Sequence, residues 1–186
     1  MSRVAVFCGS STGKDPVFAG AAHTFAGLLL ARQIGLVYGG GAVGLMNVMA
    51  ETMLEGGGEI IGVIPQRLVE REVAHHGITR LIVVGTMHER KATMAAQADA
   101  FVALPGGIGT MEEILEVFTL LQLGFQSKPC ALLNVDGYFT TFLRFLDEMV
   151  TKGFVSGEQR RKLIAEEDPH VLLDALALQN PAAPTR

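Results

Sequence analysis

Short apolar runs rich in Val, Ile and Leu alternate along this chain with longer stretches in which apolar residues recur every three or four positions. The short runs are Arg3 to Cys8, Gly35 to Tyr38, Glu59 to Ile64, Arg80 to Val84, Ala100 to Leu104 and Pro129 to Leu133. They are too brief for helices and mostly end in Gly, Pro or a small polar residue, so they predict six strands. Asp15 followed by Pro16 is a helix-start signal, and the run from there to Gln33 carries Phe18, Ala22, Phe25, Ala26 and Leu29 at helical spacing. Further helices are predicted over Val43 to Glu55, Met87 to Gln97, Thr110 to Leu123 and Tyr138 to Lys152, with a last one near His170 to Leu178. The alternation of strand and helix predicts an α/β fold, a three-layer, Rossmann-like, doubly wound parallel sheet. No repeat, linker or composition shift interrupts the pattern, so residues 1–180 are expected to form a single domain, with a flexible tail over 181–186. In such folds ligands bind outside the carboxyl ends of the strands.

Composition narrows the function. The 186 residues are 49% hydrophobic and 18% charged, enough apolar matter for one sizeable core. The net charge is -4 and no basic run exceeds Arg160-Arg161-Lys162, which argues against nucleic acid as a partner but not against a mononucleotide. The two cysteines, Cys8 and Cys130, sit in or beside apolar runs, so buried free thiols are expected rather than a disulfide. The opening MSRVAVFCGSS breaks its short apolar run at Gly9, and no stretch approaches the length of a membrane span; a cytoplasmic location without signal peptide or anchor is expected. The five histidines show no metal-ligand spacing and no G-x-S-x-G elbow occurs, so neither a metal site nor serine-hydrolase chemistry is expected, and no cofactor is.

The turns after the strands carry the unusual chemistry. Gly9-Ser10-Ser11-Thr12-Gly13 follows the first, Gly39-Gly40-Gly41-Ala42-Val43-Gly44 the second, Pro65 onward the third, and Pro105-Gly106-Gly107-Ile108-Gly109-Thr110 the fifth. Glycine lets a backbone approach a ligand closely, and successive N–H groups at a helix start can grip a phosphate. Gly9, Ser10, Gly40, Gly41, Gly44 and Gly106 are therefore candidates for phosphate turns, the competing reading being tight strand-to-helix connections and nothing more. The second turn spells G-x-G-x-x-G, yet the next strand ends in Ile64-Pro65-Gln66 without the ribose-binding acid of a dinucleotide site, which disfavours NAD. No G-K-[ST] follows either glycine run, which disfavours an ATPase.

Pro105 to Glu113 is the most specific stretch. It combines a glycine nest with two carboxylates, Glu112 and Glu113, in what reads as a first helical turn. Thr110-x-x-Glu113 is also a capping box, so a structural role for Glu113 competes with a functional one. Met111, Ile114, Leu115, Phe118 and Leu121 read as the core stripe of this helix, leaving Glu112, Glu116 and Thr119 on its polar side, where Thr119 could face the ligand. Upstream, Arg90 and Lys91 open a helix at the same rim; either can serve a phosphate or lie on a solvated helix face. Arg71 and Glu72, with His75 and His76 beyond, read as a polar surface loop.

These segments resemble the LONELY GUY family of cytokinin riboside 5'-monophosphate phosphoribohydrolases, once widely labelled lysine decarboxylases. The resemblance runs in order from Val4-Ala5-Val6-Phe7-Cys8-Gly9-Ser10-Ser11, through Leu36 to Gly41, Gly44-Leu45-Met46, Gly62 to Pro65 and Met87 to Lys91. It continues in the P-G-G-x-G-T-x-x-E segment Pro105 to Glu113 and ends in Leu133-Asn134-Val135-Asp136-Gly137-Tyr138. It implies that Arg90 and Glu113 are catalytic, and that Glu72, Arg90, Lys91, the stretch Gly107, Ile108, Gly109, Thr110, Met111, Glu112 and Glu113, and Thr119 bind the nucleotide. It further implies a homodimer with its site near the subunit interface. The implied reaction hydrolyses the N-glycosidic bond of a nucleoside 5'-monophosphate, with AMP or N6-modified AMP as substrate. Asn47, in place of the usual glycine, and Val69-Glu70, in place of the usual Met-Pro, depart from the family pattern and bear on the base pocket. A general AMP nucleosidase and a non-catalytic nucleotide-binding module stay open as alternatives. Arg90 can hold the phosphate or stabilise the leaving base, and both Arg90 and Glu113 are expected at the rim rather than in the core. With five lysines and no recognisable pyridoxal phosphate site, decarboxylation finds no support.

Overall fold

A computed structural model of the chain describes residues 2–69 and 74–176. Seven strands, β1 (Arg3–Phe7), β2 (Gly35–Tyr38), β3 (Ile60–Pro65), β4 (Arg80–Val84), β5 (Ala100–Ala103), β6 (Cys130–Leu133) and β7 (Leu163–Glu166), form one sheet in the order β4-β3-β2-β1-β5-β6-β7. All six pairings are parallel. The helices are α1 (Pro16–Ala31), α2 (Gly44–Glu55), α3 (Met87–Gln97), α4 (Ile108–Gln122), α5 (Thr140–Thr151), α6 (Gly157–Arg161) and α7 (Pro169–Ala175). The chain winds outward from β1 in one direction to β4, returns through α3 to β5 beside β1, and winds outward the other way. The doubly wound sheet expected from the strand–helix alternation is therefore the observed one, with its switch point between β1 and β5.

Alternate residues of β1 feed two cores. Val4 and Val6 pack with Phe25 and Leu29 of α1, Met49 and Met53 of α2 and Leu172 of α7. Ala5 and Phe7 pack with Met94 of α3, Ile114 and Phe118 of α4 and Leu146 of α5. Burial on both faces is why the central strands read as continuous apolar runs. The start of α1 is as the sequence predicts: Asp15 accepts a hydrogen bond from Val17 N at 2.9 Å, with Pro16 in the first turn. Cys8 and Cys130 are both buried and free.

Several boundaries differ from expectation. β7 and α6 had no counterpart in the apolar pattern. β7 is an edge strand whose only strongly buried residue is Leu163; Arg160-Arg161-Lys162 precedes it and it runs into Glu166-Glu167-Asp168, leaving an apolar run of three residues. β3 starts at Ile60, one residue later than expected; the Glu59 side chain pairs with Arg3 at 2.9 Å. α5 starts at Thr140 rather than Tyr138; a 3-10 turn over Val135–Gly137, with φ of 49° at Asp136 and 70° at Gly137, precedes it. The expected tail over 181–186 lies outside the described residues.

Candidate active site

The carboxyl ends of β1 and β5 are fastened to each other by main chain. Gly9 N donates to Pro105 O at 3.1 Å and Leu104 N to Phe7 O at 2.9 Å, while Leu45 N of α2 donates to Gly9 O at 3.0 Å. Beside this junction lies a cavity of about 250 Å³ walled by Cys8, Ser10, Gly39, Met46, Arg90, Met94, Glu113 and the stretch Gly107 to Thr110. Arg90 and Glu113, from two different helices, thus face one space.

The sequence reading of Glu113 as half of a capping box is overturned. α4 begins at Ile108, two residues early, with Gly107 at its N-cap and no side chain capping it. Thr110 is instead buried beneath the turn, where a Cβ on Gly106 would stand 2.1 Å from its Oγ1. The first four N–H groups of an α-helix have no partner within the helix, and the helix dipole adds positive potential there. An uncapped start whose residues line a cavity is therefore suited to an anion. Among the described residues, capping boxes form between Thr86 and Glu89 at α3 and between Ser156 and Gln159 at α6.

Arg90 does not lie on a solvated helix face or at an open rim. It is 5% exposed, its Nε donating to Val63 O at 3.1 Å and its Nη2 to Gly39 O at 2.9 Å. A buried guanidinium needs such acceptors, and a carbonyl within β3 and one just beyond β2 supply them. Gly39 must lack a side chain for this: a Cβ there would stand 2.2 Å from Arg90 Nη2. Lys91 is placed elsewhere, on the seam between α3 and α4, its Nζ 2.5 Å from Glu112 Oε1 and 2.5 Å from Glu116 Oε2. The two carboxylates raise its pKa. Consecutive residues so divide the work: Arg90 and Glu113 line the cavity while Lys91 and Glu112 tie their helices together.

The other sequence candidates are dispersed. Of the second glycine turn only Gly39 reaches the cavity wall. Gly40 O accepts from His75 N, Gly41 bridges to Ala74, and a Cβ on Gly44 would lie 2.3 Å from the carbonyl carbon of Ser10. Gly40 and Gly44, at φ of 76° and 57°, are glycines by conformation and packing. Met111 is partly buried against the core of its face and Val117 joins Ile114 and Phe118 in that core, whereas Leu115 lines a groove between α4 and α5. Thr119 lines the same groove, separate from the cavity, and donates to Leu115 O of its own helix at 2.7 Å. His75 is no free surface residue; its Nε2 lies 3.0 Å from Glu51. Glu72, with Arg71, lies outside the described residues. Sequence reasoning passed over Gly39, Cys8, Met46 and Met94 as cavity residues, since nothing but their strand-end or helix register marks them.

Cys8 also lines the cavity, and burial, with the charge of Glu113 second, pushes its thiol well above the ordinary range. Burial raises Cys130 to about 12. Only a thiolate exchanges disulfides readily. At pH 8 the native protein is therefore expected to release no thiol equivalents rapidly to an aromatic disulfide reagent, and both after denaturation; a fast-reacting native thiol contradicts this burial.

A parallel, doubly wound sheet defines a Rossmann-like α/β protein, and an uncapped helix start, a buried arginine and a carboxylate gather at its switch point. Comparison with known sequences makes the class specific: the chain belongs to the family of cytokinin riboside 5'-monophosphate phosphoribohydrolases. It is 48% identical to cytokinin riboside 5'-monophosphate phosphoribohydrolase LOG2 of Arabidopsis thaliana over 174 residues, 94% of this chain and 82% of that one. It is equally 48% identical to the enzyme LOG7 of the same plant over 179 residues, 96% of this chain and 82% of that one. A family model described as "Possible lysine decarboxylase" matches residues 46–176. Among solved structures, the molybdenum cofactor binding protein of Rippkaea orientalis superposes with a TM-score of 0.71 over 95% of each chain at 19% identity, a likeness of fold alone.

Proposed function

We propose that this protein hydrolyses the N-glycosidic bond of adenine-type nucleoside 5'-monophosphates, releasing the free base and ribose 5-phosphate. The observation that carries the reading is the convergence of Arg90, Glu113 and the uncapped start of α4 on one cavity. The phosphate dianion binds the N–H groups at Gly107 to Thr110, which places the ribose beside Glu113. Departure of the base develops positive charge on the sugar, as in glycoside hydrolysis. The Glu113 carboxylate stabilises that charge and takes a proton from the attacking water, whose oxygen bonds to the anomeric carbon while the bond to the base breaks. The electron pair leaves with the base, which is then protonated. Arg90, fixed by two carbonyls, supplies a cation that need not reorganise during the reaction. The names of the relatives support the same chemistry. Decarboxylation is disfavoured, since Schiff-base chemistry needs a neutral amine and Lys91, beside Arg90 in the chain, is held charged by Glu112 and Glu116.

Chromatography of products after incubation with AMP, isopentenyladenosine monophosphate and the other nucleoside monophosphates tests this: free base and ribose 5-phosphate in equal amounts support it, and bound but intact nucleotide refutes it. The ratio of the two adenine substrates separates a cytokinin-activating enzyme from a general AMP nucleosidase. We also place the enzyme in the cytoplasm, on its two reduced cysteines.

The partner we assign to it is a second copy. The groove holding Thr119 is bordered by Phe145 of α5, 55% exposed, and Leu123 and Phe125 just beyond α4 are also exposed. An apolar face of this kind suits a twofold contact between two copies of the chain. Phe145→Asp is expected to convert a dimer to a monomer in light scattering; an unchanged mass rules out this face.

A further inference from the structure

The segment Leu133-Asn134-Val135-Asp136-Gly137-Tyr138 stands out in the sequence, yet none of its residues lines the cavity with Arg90 and Glu113. Its geometry gives it a different task. Asn134 N donates to Glu166 O of β7 at 2.8 Å, its Oδ1 accepts from Phe139 N at 2.7 Å and its Nδ2 bonds Thr140 Oγ1 at 3.2 Å. Held at that corner, the chain passes through left-handed Asp136 and Gly137 and turns Tyr138 back over the β1 and β5 ends. The ring is braced edge-on by Phe18 of α1 at 5.7 Å and by Phe139 at 5.0 Å. The hydroxyl donates to Gly106 O at 2.5 Å.

That bond fixes a peptide plane. In a trans peptide the carbonyl and the following N–H point in opposite directions. With Gly106 O held toward Tyr138, the N–H of Gly107 points away from the tyrosine, and Gly107 itself forms part of the cavity wall. Gly107 is the N-cap of α4, so its N–H has no acceptor within the helix. Glycine on both sides of this peptide leaves its plane otherwise soft, with no side chain on Gly106 or Gly107 to restrict it. We propose that Tyr138 is a positioning residue for phosphate: through Gly106 it locks the Gly107 N–H in the orientation that binds the monoester. This rests on the phosphate-binding role assigned to the start of α4 above.

Tyr138→Phe keeps the ring and its two aromatic partners and removes only the hydrogen bond. The expected result is a KM for AMP raised about tenfold with kcat within about twofold, and inhibition by ribose 5-phosphate weakened by the same factor, the size expected for one charge-assisted hydrogen bond made less often. Inhibition by free adenine and the thermal unfolding temperature stay unchanged. An unchanged KM, or an equal loss for adenine, overturns the proposal, the second outcome assigning Tyr138 a general packing role. A wild-type protein that neither cleaves AMP nor binds ribose 5-phosphate removes the underlying reading as well, and that result is read without the variant.

Discussion

Glu113→Gln is expected to lower kcat for base release from AMP by about a thousandfold, the range in which loss of a positioned acid or base falls. The substitution preserves shape and removes the charge. Glu113 sits in the second turn of α4 at the cavity wall; it does not cap that helix and is not part of the apolar core, and glutamine keeps its size and hydrogen-bonding capacity. Urea unfolding should therefore keep its midpoint and slope. AMP binding, carried by main-chain N–H groups, is expected to survive within a few-fold. Activity within about tenfold of the parent, measured as adenine released per enzyme in single turnover, would remove Glu113 from the chemistry.

Arg90→Ala behaves differently, because this side chain does two things. Its loss is expected to abolish detectable base release and also to lower stability by about 2 kcal/mol, since Val63 O and Gly39 O are left without their donor in a buried place. Surface exposure at the rim, which the sequence suggested, predicts activity loss with an intact fold; burial predicts both losses. Gly39→Ala separates them. The new methyl cannot coexist with the guanidinium in its present seat, 2.2 Å away, so activity falls while the cation remains in the chain. If Arg90→Ala unfolds at the parental denaturant concentration, the seat described for it is wrong.

These two residues also mark where the sequence was legible and where it stopped being so. The sheet was readable because β1, β2, β3, β5 and β6 are buried on both faces and each is announced by an unbroken apolar run. β7 was not, because an edge strand needs only one good apolar residue and surrounds itself with charge. The start of α4 was misread for a local reason: Thr110-x-x-Glu113 satisfies the spacing of a capping box, but the glycines before it allow the helix to begin earlier. Arg90 was misplaced for a non-local one. Its acceptors lie in β3 and just beyond β2, 27 and 51 residues away in the chain, and no window of sequence contains them. Lys91 shows the converse, its charge being spent on α4 rather than on the cavity. Family resemblance supplied Arg90 and Glu113 as a pair; the structure places both on one cavity.

The clasp between Gly9 and Pro105 is made of peptide groups, as is the acceptor pair under Arg90. On the function proposed above, the hold on an anion rests on the backbone path rather than on the side chains projecting from the clasp. Ile108, 86% exposed at the mouth of the cavity, is the clearest beneficiary. Substitution there can alter which molecule is admitted while the anion hold beneath it persists, so selectivity in this scaffold is free to drift faster than the chemistry it serves.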